Sequence, residues 1–205
     1  MKQFKIVPLS EEFAAKIRET NKDEFGHNVI ELLATGKGPC RVSLKPFKVG
    51  EDYRLLLSHS PFTVDNAFNQ SGPIFIQKET VNAYDDIHRF PPEIKADKEN
   101  FPLSLIGYSK EQKMVFTKLV GDDDVDLLIP KIFETETEVE YLHARNAEAC
   151  CFIVKLKEFK ICIPKLFEIT DNSITEKFIN ENGLATLITK GHLFLLALIF
   201  QLIWK

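Results

Sequence analysis

The segment Tyr141-Leu142-His143-Ala144-Arg145-Asn146-Ala147 crowds a phenol, an imidazole, a guanidinium and an amide together, and Cys150-Cys151-Phe152 adds thiols directly after. In a strand, alternate side chains share a face, so Tyr141, His143 and Arg145 stand on one side and Leu142 and Ala144 on the other. Such a face suits a small polar or anionic ligand: Arg145 can fork onto a carboxylate or phosphate, with Tyr141, His143 and Asn146 beside it. Earlier in the chain, Gly38-Pro39-Cys40-Arg41-Val42-Ser43-Leu44 supplies a second guanidinium and another thiol. With Cys40 or Cys151 as nucleophile and His143 as base, the same residues describe a small enzyme. Arg41 beside Cys40 favours thiolate, although neighbours in a strand point to opposite faces. The plainer readings are that internal carboxylates such as Glu51 satisfy His143 and Arg145, that Asn146 makes a turn, and that Cys40 is a small core hydrophobe.

Other chemistries find less support. Cys40, His59, His143 and Cys151 are metal-ligand types, but no pair has a recognised ligand spacing, so no metal is expected. Asp122, Asp124 and Asp126 imitate the start of a calcium loop, yet Leu127 replaces its glycine and Phe133 its closing glutamate. These acids are expected to cap the following helix. Gly36-Lys37-Gly38 lacks the Ser or Thr of a phosphate loop. No motif names a cofactor.

The polar segment is expected in a hairpin of 138–145 and 150–157 joined by Asn146 to Ala149. That loop sets Arg145 opposite Cys150 and His143 opposite Phe152, and Cys150 on the His143 face. Around it, 4–9 reads as a strand and Ser10 as the N-cap of a helix carrying Phe13, Ala14 and Ile17, with Glu11 and Glu12 in its first turn. Residues 28–34 suggest a short helix, and 40–44 alternate like a half-buried strand. Val49 to Asp52 is a turn, 53–59 and 74–77 are strands, and the proline-bearing 85–102 is a surface excursion. Strands at 103–108 and 114–120 form another hairpin. A helix over 124–133 carries Val125, Leu128, Ile129 and Ile132, and Pro130 should kink or shorten it.

Strands with a few helices between them indicate an α+β protein with a mixed, largely antiparallel sheet and flanking helices. Of 205 residues, 44% are hydrophobic, enough for a substantial core. The net charge of −4 and the lack of a basic run argue against nucleic acid. The N-terminal residues lack the apolar core of a signal peptide, so a cytoplasmic protein with reduced thiols is expected. A single domain is expected over 1–158 with an extension over 159–205. The apolar run 193–204 in that extension is short for a bilayer span. It suggests a packed or disordered end, with an interaction or membrane-surface role as the alternative.

In order and wording the chain resembles the bacterial family catalogued as domain of unknown function 1203, over residues 4–157. The likeness rests on Pro39-Cys40-Arg41, Gly50-Glu51, Leu55-Leu56-Leu57, Pro73-Ile74-Phe75, His143 to Ala147 and Cys151-Phe152. Cys150 departs from it, standing where the pattern prefers glycine, so a left-handed backbone is not expected there. The resemblance implies no activity, substrate or cofactor.

Overall fold

Ser10, shortly after the first strand, starts the first helix. Its hydroxyl accepts the Phe13 N–H at 3.1 Å, satisfying one of the donors a helix start leaves open. The computed structural model describes residues 3–159, 175–179 and 185–189. The chain divides into two compact units, Met1–Lys160 and Ile161–Lys205.

The first unit runs β1 (Gln3–Val7), α1 (Glu11–Thr20), β2 (Ile30–Leu33), β3 (Tyr53–His59), β4 (Gly72–Gln77), α2 (Pro92–Ala96), β5 (Leu103–Tyr108), β6 (Met114–Leu119), α3 (Val125–Thr135), β7 (Tyr141–Asn146) and β8 (Phe152–Phe159). One sheet has the order β1-β8-β7-β5-β6 and the other β2-β3-β4. Every ladder between these strands is antiparallel. The protein is therefore α+β, and its first unit has two sheets rather than one. In the second unit, β9 (Thr175–Ile179) pairs antiparallel with β10 (Ala185–Thr189). The apolar run 193–204 lies outside the described residues, and no helix among those described is long and apolar enough to cross a membrane.

Alternation sorts two cores. Ile6, Leu105, Leu142, Ala144 and Leu156 point from one face of the five-stranded sheet toward Ile129, Ile132 and Phe133 of α3. The second core joins Ala14 and Ile17 of α1 to Val42, Leu55, Leu57, Ile74, Ile76 and Phe152. Phe152 thus brings the opposite face of β8 against the three-stranded sheet.

Four local expectations are corrected. Residues 30–33 form a strand, not a helix, because pairing with β3 outweighs a helical spacing this short. Residues 40–44 are a tight loop, not a strand: Leu44 N–H bonds the Cys40 carbonyl (2.9 Å), Cys40 N–H bonds Lys45 (3.0 Å), and Leu44 is left-handed at φ 54°. The segment 85–102 is no mere excursion, since Phe90, Ile94 and Phe101 are core residues. Pro130 does not shorten α3, which runs on to Thr135; one missing N–H is tolerable where the ring itself is buried in the core. Asp124 caps α3 as expected, accepting from Asp126 N–H at 3.0 Å.

Candidate functional site

The expected sharing of faces along β7 holds. Leu142 and Ala144 enter the α3 core, while Tyr141, His143 and Arg145 stand on the face toward the three-stranded sheet. The expected register does not. Arg145 lies opposite Phe152 and His143 opposite Lys155, with a bulge after Ala144. The connection is longer than Asn146 to Ala149: Asn146 N–H bonds the Cys151 carbonyl at 3.0 Å. The Asn146 side-chain oxygen accepts from Glu148 and Ala149 N–H at 3.0 and 2.7 Å, so this residue builds the turn. Cys150 closes it in a left-handed conformation at φ 56°, against expectation.

His143 has no exposed surface. Phe62, Tyr108, Tyr141 and Phe152 surround its ring, with centroids 4.7–5.2 Å away. Among the described residues neither ring nitrogen has a hydrogen-bond partner, and the same is true of the Tyr141 hydroxyl. Burial, with Arg145, Lys155 and His59 nearby, lowers the His143 pKa to about 2, so the imidazole is neutral at pH 7. Burial likewise pushes the Tyr141 phenol up to about 12. Arg145 donates from Nη1 to the Cys150 carbonyl at 3.1 Å, and its Nε and Nη2 donors are buried and unpartnered. Its charge and a side-chain hydrogen bond to the Tyr108 phenol partly offset the upward push of burial there.

Arg41 reaches the same place from the 40–44 loop. It is buried, and its guanidinium binds the carbonyls of Phe152 (Nε, 2.5 Å) and Pro39 (Nη1). Phe152 is the register partner of Arg145, so the two arginines meet the sheet at one rung. Burial lowers the Arg41 pKa to about 10, offset in part by the neighbouring Cys151 and Cys40 thiols, and it stays charged at neutral pH.

The three described thiols do not join His143. Cys40 is core, its sulfur accepting the Gln77 N–H at 3.3 Å. Cys151 is half-buried and faces the Ala149 carbonyl at 3.5 Å, and Cys150 is exposed on the turn, 3.9 Å from the Glu148 carbonyl. A Cys–His nucleophilic pair is therefore not assembled. Glu51 is not drawn in either; it sits exposed in the 49–52 turn, 3.9 Å from Lys48.

Four participants went unassigned in the sequence. Lys155 lies opposite His143 and places its ammonium 3.7 Å from the Tyr141 ring centroid. Continuing the alternation across the hairpin in the correct register would have found it. Tyr108, on β5, stacks on Tyr141 with centroids 5.4 Å apart. Phe62 comes from the loop after β3, which Gln112 ties down through Thr63 N–H (3.0 Å) and the Thr63 hydroxyl (2.6 Å). His59, at the end of β3, packs near Phe152 and is held by Glu24 at 3.2 Å. Distance in sequence hid the last three.

No curated protein and no solved structure matches the chain. The family model described as protein of unknown function (DUF1203) matches residues 37–158, which contain Arg41, Phe62, His143, Arg145 and Lys155. Covering more than half of the sequence and the whole polar rung, that match makes this chain a member of the DUF1203 family.

Proposed function

We propose that this is a cytoplasmic protein that binds a small polar anion between its two sheets, on Arg145, His143 and Tyr141, with Arg41 behind. The single observation that carries this reading is the set of buried donors on β7 for which the described residues supply no acceptor. An unpaired buried donor costs about 1–3 kcal/mol, so several on one strand face are tolerated where a ligand supplies the acceptor. Nε and Nη2 of Arg145 are the side-on pair that closes on both oxygens of a carboxylate or phosphate. The neutral imidazole of His143 offers one donor and one acceptor, which suits a hydroxyl next to that anion. Three described cysteines are free thiols, as a reducing compartment keeps them.

The test is a thermal-shift and calorimetric titration of the full chain with L-lactate, L-malate and 3-phosphoglycerate. Stabilisation by at least one is expected. Arg145→Lys, which keeps the charge but loses the fork, should weaken that binding at least about tenfold. A chain that binds none of the three, or an Arg145→Lys variant that binds as well as wild type, overturns the reading.

A further inference from the structure

Among the described residues the polar face holds three cations and no anion. Arg41 and Arg145 bind backbone carbonyls, Arg145 also meets the Tyr108 phenol, and Lys155 lies on the Tyr141 ring. Among the described residues none of the three is paired with a carboxylate. Glu24 is taken by His59 and the Ser60 N–H. Lys157 sits near Lys155 and adds further positive charge. Buried or half-buried cations facing carbonyl dipoles and one another are poorly compensated, and one monoanion would leave most of that charge unanswered.

Register gives the spacing. Arg145 and His143 are alternate residues on one strand, with Cβ atoms about 7 Å apart. Lys155 opposes His143 across the ladder at about 5 Å. The neutral imidazole therefore stands between two cationic ends.

Building on the ligand-binding reading above, we propose that the ligand is a small dianion bridging the Arg145 fork and the Lys155 ammonium, with a hydroxyl facing His143. A hydroxy dicarboxylate and a phosphorylated hydroxy acid share this chemistry.

Calorimetry at pH 7 on the full chain tests it, with L-malate and 3-phosphoglycerate as probes carrying two anionic groups (the phosphate of the second adding up to a further charge) and L-lactate as the matching monoanion. At least one dianion is expected to bind about tenfold or more tighter than lactate. The tighter of the two identifies the second group as carboxylate or phosphate. Lys155→Met should weaken the dianion about tenfold and so remove the preference. If Lys155→Met does not fold, Lys155→Gln serves, together with the salt dependence of the wild type, which should be steeper for the dianion than for lactate. Lactate binding as tightly as both dianions, or a preference that survives loss of the ammonium, overturns the dianion assignment while the Arg145 reading stands. Failure of all three probes to bind overturns both.

Discussion

The two faces of β7 are equally buried and differently finished. Leu142 and Ala144 have no exposed surface and meet Ile129, Ile132 and Phe133 across a dry apolar layer. Opposite them, Tyr141, His143 and Arg145 are at most 4% exposed, yet they leave five polar atoms without a partner. Burial alone therefore does not define a core. On one face it lowers the free energy through apolar contact. On the other it raises it, because donors stripped of water gain nothing in return.

That contrast is broken most directly by mutating neighbouring residues. Leu142→Ala should destabilise by about 2–5 kcal/mol, since it leaves a cavity in a tightly packed layer. The layer has little slack: a Cβ at Gly107, the register partner of Leu142, would come within 2.7 Å of Val139 Cγ2. His143→Phe should be neutral or stabilising by about 1–3 kcal/mol, since it exchanges two unsatisfied nitrogens for carbon inside a ring of aromatics. Urea unfolding of both variants measures the two effects. Equal destabilisation would mean that His143 is held by bonds the present contacts do not contain.

Of the two faces of β7, acid should act on the polar one. His143 has a folded pKa near 2 against about 6.5 in an unfolded chain, so below about 6.5 the unfolded state binds the extra proton. The stability this group contributes is complete above about 6.5 and is lost as pH falls toward 2. Its slope approaches about 1.4 kcal/mol per pH unit in that window. Arg145, Lys155 and His59 all oppose the added charge. His143→Phe should flatten the slope between pH 6 and 4, leaving the smaller contribution of His59, whose pKa is also held down by burial. A wild-type stability curve that is level across that range removes the neutral, desolvated imidazole from the account.

How far the sequence reveals this arrangement depends on the reach of each interaction. The polar face of β7, the Ser10 cap and the strands at 53–59 and 103–108 follow from alternation and capping over a few residues, and the structure keeps them. The 40–44 loop reads as a strand because Cys40, Val42 and Leu44 alternate with polar neighbours. In fact Arg41 is buried as deeply as they are, and its bonds run to Phe152 and Phe75 far along the chain. Residues 30–33 go astray for a related reason, since their partner strand lies beyond a long connection. Phe62 carries no local signal at all. The hairpin register fails by a bulge and a longer turn, both set by details within the connection itself.

The smallest effect belongs to that turn, which holds the polar face to its register. Cys150 occupies a left-handed conformation at φ 56° that a side chain with a Cβ adopts at a cost of roughly 1–2 kcal/mol. Glycine relieves this, but it also loosens the unfolded chain, which returns about 0.4–1 kcal/mol. Cys150→Gly should therefore stabilise by about 0.5 kcal/mol, visible as a small shift in urea midpoint with an unchanged slope. The Cys150 carbonyl is the acceptor for Arg145 Nη1, and the side chain plays no part in that bond. Malate affinity should thus match wild type, so the substitution separates the conformation of the turn from the chemistry of the face. A loss of stability would show that the cysteine side chain holds the turn by contacts stronger than its 3.9 Å approach to the Glu148 carbonyl. In that case the departure from glycine at this position is a feature of the hairpin and not merely tolerated strain.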